Sequence, residues 1–303
     1  MRWLYHVLRA EEVGWESDGR YRPASLEREG FVHASYRDLV LESARLYFRE
    51  SADRLRVLAI DPRRLDVPVE VARTPRGPMP HVRGAIPCDA VRVLSLEAVP
   101  SEPDVVSGTR IGLAAFGGMT LLDLVGPLDA LSRIASMGFD RATSCEVFAL
   151  TRPADDETVI EVDVWRGSGM TVRARRYRPP LDGFDVLVVP GGPAVSSLLD
   201  DASIASYLGS YPPNRLVASV CTGALLLGAT GRLAGKRATT HRTALAALAA
   251  LGAIVREERV VDEGQIVTAG GVTAGVDLGL FLVRRLAGDA AADAIAERME
   301  IRG

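Results

Sequence analysis

A short apolar run that turns directly into a helix constrains this chain most strongly. Leu216–Val220 has the apolar, partly β-branched character of a buried strand, and Ala224–Leu227 are helix-forming residues. Only Cys221, Thr222 and Gly223 lie between them, so the chain turns sharply there. A side chain at such a corner stands clear of the sheet at a helix N-terminus, which is the geometry of a nucleophile elbow and favours the thiolate. We therefore predict that Cys221 is a nucleophile, the alternative being a buried structural cysteine.

Length and composition exclude several classes of protein. The 303 residues, of which 48% are hydrophobic and 25% charged, are enough for two globular domains. A net charge of −3 without a basic segment argues against nucleic acid and anionic membranes as partners. The sequence shows neither a signal-peptide core nor an apolar run long enough to span a bilayer. Its three cysteines form no disulfide framework or metal-ligand pattern, so we expect a cytoplasmic protein without a metal.

Residues 1–104 are predicted to form a small α+β domain, because strands and helices follow each other without regular alternation. The pattern predicts two helices, at Ala10–Glu16 and Asp38–Phe48, and four strands, at Trp3–Leu8, Arg54–Ile60, Val67–Val71 and Val91–Leu96. Pro68 places its strand at a sheet edge, because proline cannot donate to a ladder. The segment Val99–Gly108, rich in proline, serine and acidic residues, is predicted to be an exposed connector.

Histidines are concentrated in this first domain, which holds three of the four in the chain. Together with nearby arginine and serine residues they can line a pocket for an anionic or nucleotide-like ligand, or they can serve as structural hydrogen-bonding groups. The candidates are His6, His33, His81, Arg22, Ser25 and Ser35.

Several motifs of the first domain resemble a bacterial domain family of unknown function. They are Tyr-His-Val, Gly-Phe-Val-His-Ala-Ser and Pro-His-Val-Arg-Gly, within about residues 2–98. That family is grouped with the ADP-ribosyltransferase-like folds, so the resemblance implies such a fold and an NAD-type cleft, without implying an activity. It makes His6, His33 and Ser35 the positions to examine for ligand binding.

Residues 108–303 are predicted to form an α/β domain. Strands alternate with helices, at Arg110–Phe116, Ser144–Leu150, from Phe184 to the Gly191-Gly192 turn, and at Leu216–Val220. Such alternation predicts a parallel sheet covered on both faces, with the site at the carboxyl ends of the strands. Further along the chain, Ile254–Val261 and Gln265–Thr268 are predicted to form a hairpin.

Polar groups next to these strand ends are candidates for the chemistry. Asp123 lies in the first turn of a predicted helix among apolar neighbours, so it either complements the helix dipole or is a desolvated acid that shares a proton with Cys221. The N–H groups of Gly191 and Gly192 either hold developing negative charge or form a tight turn. His241 is either a base for Cys221 or a helix cap.

These residues stand in motifs that resemble the ThiJ/PfpI superfamily, which is class I glutamine amidotransferase-like. The motifs are Leu-Asp-Leu-x-Gly-Pro, Val-Pro-Gly-Gly, Ser-Val-Cys-Thr-Gly-Ala and Thr-Thr-His, within about Arg110–Arg298. The nearest branch is isonitrile hydratase. The resemblance implies a flavodoxin-like α/β sandwich, a homodimer, a small-molecule substrate and no cofactor.

The same resemblance implies a mechanism. The Cys221 thiolate attacks the terminal carbon of an isonitrile, and Asp123 protonates the imidate or positions water. Gly191, Gly192 and Thr222 orient and stabilise the adduct, which water releases as an N-substituted formamide.

Two other functions are compatible with the sequence. One is a glyoxalase or deglycase-like stress enzyme, although relatives of that kind commonly carry Glu where Asp123 stands. The other is a sensor related to AraC-type regulators, whose helix-turn-helix region has no counterpart in this sequence. Relatives close to the isonitrile hydratases often have tryptophan where Arg242 stands, which predicts a more polar substrate.

Overall fold

The chain divides into two structural units, Met1–Val106 and Ser107–Gly303. The computed structural model describes residues 2–48, 52–101, 108–152, 159–161 and 170–301. Within these ranges no helix has the length and apolar character needed to cross a membrane.

The first unit is rich in short antiparallel strands. Its elements are β1 (Leu4–Arg9), β2 (Arg20–Tyr21), α1 (Ala24–Glu29), β3 (Val32–His33), α2 (Arg37–Tyr47), β4 (Leu55–Ile60), β5 (Val69–Thr74), β6 (Gly77–Val82), β7 (Ile86–Pro87) and β8 (Val91–Ser95). Two three-stranded sheets have the orders β1-β4-β8 and β3-β6-β5, and β2 pairs with β7. The predicted position of the Val67–Val71 strand at a sheet edge is confirmed, because β5 pairs only with β6.

Strand β6 was not predicted, because Pro78 and Pro80 interrupt its pattern. It is nevertheless the middle strand of its sheet. The Pro80 carbonyl accepts from Ala34, so that residue faces the β3 side of the strand. Successive residues of an antiparallel strand hydrogen-bond to opposite neighbours, so residues 78 and 80 face the same strand. The N–H groups that Pro78 and Pro80 lack are therefore missing on the β3 side. The ladder with β5 lies on the opposite side of the strand and therefore pairs over all six residues, Val69–Thr74.

The predicted connector begins later than expected. Leu96–Ser101 forms a 3-10 helix in which Val99 is only 1% exposed. The prediction of an exposed connector is therefore wrong for Val99, which packs in the apolar cluster that includes Tyr5 and Val40, whereas Pro100 and Ser101 are exposed as predicted. The remainder of the predicted connector, residues 102–107, lies outside the described residues.

The second unit contains the predicted α/β sheet. Its elements are β9 (Arg110–Ala115), α3 (Leu121–Ser136), β10 (Ser144–Ala149), β11 (Val159–Glu161), β12 (Thr171–Arg173), β13 (Val186–Val189), α4 (Val195–Leu199), α5 (Ala202–Gly209), β14 (Leu216–Val220), α6 (Gly223–Ala229), β15 (Arg237–Ala238), α7 (Leu245–Ala250), β16 (Ile254–Val255), β17 (Val260–Asp262), β18 (Ile266–Ala269), α8 (Ala274–Ala287) and α9 (Asp289–Arg298). The main sheet has the order β10-β9-β13-β14-β18-β17. Its first five strands are parallel, which confirms the predicted parallel sheet, and only β17 is antiparallel.

The predicted hairpin is confirmed in part. Strands β17 and β18 pair antiparallel, but Ile254–Val255 forms the separate strand β16, which pairs with β15.

The parallel strands bring three loops together at the carboxyl ends of the main sheet. Strands β13, β14 and β18 all end there, followed by the 190–192 turn, Cys221 and the 270–272 loop. Helix α3, which begins at the same edge, packs closely on α8: a Cβ on Gly279 would lie 2.8 Å from the Ala130 Cβ. The start of α3 is held beside the strand ends by the Thr120 N–H, which donates to the Gly191 carbonyl oxygen at 2.9 Å.

Candidate active site

The corner at Cys221 has the strained backbone that a nucleophile elbow requires. Cys221 follows β14, precedes α6 and has a φ of 55°, which non-glycine residues rarely adopt. Its N–H donates to the carbonyl oxygens of Ala269 at 3.0 Å and Gly270 at 2.8 Å. Its carbonyl oxygen accepts from the Thr240 hydroxyl at 2.7 Å. These three hydrogen bonds hold a conformation that costs about 1–3 kcal/mol.

The elbow also requires a residue without a side chain at the start of α6. A Cβ on Gly223 would lie inside the contact distance of the Val189 carbonyl oxygen and 2.6 Å from that of Pro190. Both are backbone atoms at the end of β13, so neither can move away without disturbing the sheet.

Replacing Gly223 by alanine should therefore destabilise the fold by about 3 kcal/mol or more, because backbone must shift to admit the methyl group. Gly209→Ala is the matched control, since it ends helix α5 and a Cβ there would meet nothing within 4 Å. It should change stability by less than about 1 kcal/mol. Urea unfolding followed by circular dichroism measures both, and equal midpoints would contradict the prediction.

Asp123 is a buried acid aimed at this corner. It lies in the first turn of α3 and is 0% exposed. The Gly191 N–H donates to its Oδ2 at 3.1 Å, while Oδ1 has no hydrogen-bond partner among the described residues. Burial raises the pKa of the carboxyl to about 7, against the smaller, opposing effects of Gly191 and the Cys221 thiol. A carboxyl with a pKa near neutrality can both take and return a proton.

Cys221 is the weaker acid of the pair. Its side chain is only 5% exposed, and burial, followed by the charge of Asp123, raises the pKa of the thiol to about 11. Hydrogen bonds from the backbone of Thr222 and Val272 act in the opposite direction. The expectation that the helix N-terminus favours the thiolate is therefore wrong for the resting protein, because desolvation and the neighbouring acid raise the pKa of the thiol more than the backbone hydrogen bonds lower it.

The two glycines and Thr222 have partners within the protein. The Gly191 N–H binds Asp123, and the Gly192 N–H donates to Thr222 Oγ1 at 2.9 Å. The Thr222 hydroxyl in turn donates to the Gly192 carbonyl oxygen at 3.2 Å. These groups therefore position Asp123 and the elbow, and their predicted contact with an adduct stays a prediction.

Val272 is a site residue that the sequence analysis missed. It follows β18, has a φ of 36° and hydrogen-bonds the thiol through its backbone. The rule that the carboxyl ends of parallel strands converge would have pointed to the Gly270-Gly271-Val272 loop once β18 was placed in the parallel sheet.

His241 acts as a cap. It precedes the 3-10 helix Arg242–Ala244, and its Nδ1 accepts from the Thr243 N–H at 3.4 Å and lies 2.8 Å from the Thr243 hydroxyl. Its ring packs on Gly271, where a Cβ would lie 2.6 Å from the His241 Cδ2. Within the described ranges no hydrogen bond joins the ring to Cys221, so the structure agrees with the capping alternative.

Five of the six candidate pocket residues of the first domain line one cavity of about 800 Å³: His6, Arg22, Ser25, His33 and Ser35. His81, by contrast, stacks on the Phe31 ring at 3.9 Å between centroids. The described parts of both domains contain no group of three or more His, Cys, Asp or Glu side chains suited to a metal ion.

Both domains match known protein families. The model of the DJ-1/PfpI family matches residues 109–285, and that of a protein of unknown function (DUF952) matches residues 7–94. Isonitrile hydratase from Pseudomonas putida is 34% identical over 192 residues, which are 63% of this chain and 78% of that protein.

Solved structures share the fold of the second domain. A ThiJ/PfpI family protein from Pseudomonas syringae has a TM-score of 0.56 and 29% identity, over 67% of this chain and 80% of that one. Schizosaccharomyces pombe DJ-1 has a TM-score of 0.54 and 17% identity, over 64% of this chain and 100% of that one, which shows a common fold alone.

The DUF952 match does not test the ADP-ribosyltransferase-like fold that was predicted for the first domain, so that fold stays a prediction. The DJ-1/PfpI match covers more than half of the chain and includes Asp123, Gly191, Gly192 and Cys221. The chain therefore belongs to the DJ-1/PfpI family and carries a DUF952 domain ahead of its DJ-1/PfpI domain.

Proposed function

We propose that the second domain is a cysteine-dependent hydratase that converts an isonitrile to an N-substituted formamide. The observation that carries the proposal is the buried pair of Cys221 and Asp123, in which the carboxyl has a pKa of about 7. The 34% identity to isonitrile hydratase supports the same reaction.

The pair supplies every proton transfer in the first half of the reaction. Asp123 takes the proton of the Cys221 thiol as sulfur forms a bond to the terminal carbon of R–N≡C. Asp123 then returns that proton to the same carbon, which gives a neutral thioimidate on Cys221. Burial favours this route, because a shared proton avoids a second charge in a site of low polarity.

Water completes the reaction. It adds across the C=N bond of the thioimidate, with one of its protons reaching nitrogen through Asp123. Collapse of the adduct breaks the C–S bond, releases the formamide and returns the hydroxyl proton to the pair. Asp123 Oδ1 is the oxygen suited to these transfers, since Gly191 occupies Oδ2. The backbone of Thr222 and Val272 stabilises sulfur while it carries negative charge.

Turnover of isonitriles by the purified full chain tests the proposal. Cyclohexyl isonitrile and isocyanoacetate form a suitable pair, because the second adds the negative charge that Arg242 would favour. Formamide production in ¹⁸O-labelled water should exceed the uncatalysed rate by about 10⁶-fold or more, with the label in the carbonyl group. Absence of formamide from both substrates would reject the proposal.

The pH dependence follows from the two pKa values. The active pair holds one proton: below pH 7 the carboxyl is already protonated and cannot accept from the thiol, and above pH 11 no proton remains. We therefore expect kcat/KM to rise about tenfold per unit from about pH 5 to pH 6 and to level off above about pH 7. Initial rates measured up to about pH 9, beside circular dichroism at each pH, check this. A flat profile below about pH 7 would contradict the role of Asp123.

Two alternatives can be separated in the same assays. A glyoxalase or deglycase-like enzyme would consume methylglyoxal and leave isonitriles unchanged. A sensor of oxidants depends on an accessible thiolate, and the burial and raised pKa of Cys221 weigh against it. The homodimer and the cytoplasmic location stay predictions.

A further inference from the structure

The first domain contains a cavity that the proposed reaction does not use. Its volume is about 800 Å³, within the usual range for small-molecule sites. Residues of β1, α1 and α2 contribute to its wall, and the lining combines apolar, aromatic and charged side chains.

The charge of the lining is positive. Four arginines and two glutamates take part: Arg9, Arg22, Arg28, Arg76, Glu12 and Glu29. Arg9 pairs with Glu12 at 3.2 Å, and Arg22 pairs with Asp18 at 2.6 Å and also with Glu16, so neither adds free positive charge to the cavity. Glu29 binds His33 at 2.9 Å.

Two of these arginines remain available to a ligand. Arg28 has no ion-pair or hydrogen-bond partner in the described part of the domain. Arg76 has only a long ion pair with Glu42, at 3.6 Å, and long hydrogen bonds to Ser43 and Tyr47 hydroxyls, at 3.4 and 3.3 Å. Since exposed ion pairs of this length contribute little, both guanidinium groups can bind an anion at small cost.

A buried donor lies beside Arg28. The Ser25 hydroxyl lines the cavity, is shielded from solvent and has no hydrogen-bond partner in the parts of the chain that are described. Ser25 and Arg28 are three residues apart on α1 and therefore share one face of the helix. An unpaired buried hydroxyl costs free energy, which an anion accepting its hydrogen bond would restore.

Aromatic surface lies beside Arg76. The Arg76 guanidinium stands 5.4 Å from the centre of the Tyr47 ring, and the neighbouring Phe48 also lines the cavity. Planar rings and guanidinium groups stack on heteroaromatic ligands.

His6 forms a neutral part of the wall. Its Nδ1–H donates to the His33 carbonyl oxygen at 2.6 Å, because that oxygen can only accept. Its Nε2 therefore accepts from the Tyr21 hydroxyl at 3.0 Å. Burial lowers the pKa of His6 to about 4, so it fixes Tyr21 and contributes no charge at neutral pH.

We propose that this cavity binds an organic phosphate of mononucleotide size. The phosphate is held by Arg28 and the Ser25 hydroxyl, and the base stacks beside Arg76 and Tyr47. The lining supplies positive charge, a donor and aromatic surface, which are the three features that such a ligand needs.

Isothermal titration calorimetry of the full chain tests the proposal. It measures only the heat of binding, so the result does not depend on whether the protein hydrates isonitriles. The probes are AMP, GMP, CMP and UMP, the nucleoside of whichever binds best, and inorganic phosphate. At least one nucleotide should bind with a Kd below about 100 μM, and its nucleoside and inorganic phosphate should each bind about tenfold more weakly or worse.

Variants locate the site. Arg28→Ala and Arg76→Ala should each weaken nucleotide binding about tenfold, because the first removes a charge-assisted contact to the phosphate and the second removes a stacking partner of the base. Arg73→Ala, an exposed arginine of the same domain outside the cavity lining, is the control and should bind within about twofold of the parent. Melting curves confirm that all variants fold. The proposal is overturned if no nucleotide binds with a Kd below about 100 μM, if nucleoside or inorganic phosphate binds as tightly, if Arg28→Ala and Arg76→Ala bind as tightly as the parent, or if Arg73→Ala weakens binding as much.

Discussion

Replacement of Asp123 by asparagine should abolish most of the turnover. It should also make the protein increasingly more stable than the parent as the pH rises. The folded pKa of about 7 lies above the ordinary value of 3.8, because burial disfavours the charged carboxylate. The parent therefore has its full stability below about pH 4 and loses it progressively as the pH rises to about 7. Asparagine does not ionise, so it avoids this loss.

The expected change in the free energy of unfolding follows from the rise in the pKa of Asp123 from 3.8 to about 7, which corresponds to about 4 kcal/mol. Between about pH 4 and pH 8 the stability of Asp123→Asn relative to the parent should rise by up to that amount, measured by urea unfolding at each pH. Turnover should fall by about 10²-fold or more, because the acid and base of the reaction is removed.

Asp129→Asn provides the control on the same helix. Asp129 is exposed and pairs with Arg133 at 2.9 Å. Loss of a surface ion pair should change stability by less than about 1 kcal/mol at either pH and leave turnover intact. If Asp123→Asn behaved like this control, Asp123 would be neither desolvated nor catalytic.

Replacement of Cys221 by alanine should reduce isonitrile hydration by about 10⁴-fold or more, because it removes the sulfur on which the thioimidate forms. Cys145→Ala is the matched control: Cys145 is a partly buried free cysteine on strand β10 and should be dispensable. Initial rates and intact-protein mass spectra with substrate measure both. Retained turnover in Cys221→Ala, or loss in Cys145→Ala, would place the nucleophile elsewhere.

Most of the fold of the second domain could be predicted from local sequence patterns. The apolar runs of β9, β13 and β14 alternate with helices, and this order alone predicts a parallel sheet whose strand ends converge. Cys221 and Asp123 were identifiable for this reason. The carboxyl's raised pKa was also predictable, since apolar residues flank Asp123 on α3.

The missing details depend on contacts between residues far apart in sequence. Gly191 and Gly192 were expected to face an adduct, but Asp123 and Thr222 already accept their N–H groups. The sequence could not tell whether His241 reaches sulfur or caps a turn, because only the folded 270–272 loop determines where its ring packs. The thiol's raised pKa likewise arises from burial that no local motif encodes.

The first domain shows the same limit. The sequence grouped six residues as candidates for one pocket, and five of them line the cavity, whereas His81 packs on Phe31 instead. It did not reveal that His6 is neutral, or that Arg28 and Arg76 also line the cavity.

The hydrogen bonds at the elbow have a consequence for how such a site can change over evolution. All three involve only the backbone of residue 221: its N–H is shared by two carbonyls, and its carbonyl is held by Thr240. The side chain contributes nothing to them, so the surrounding framework would present any small substituent at the same point. New reactivity can therefore arise at this position by a single codon change without a new fold, and laboratory selection for other nucleophiles can begin from an intact scaffold.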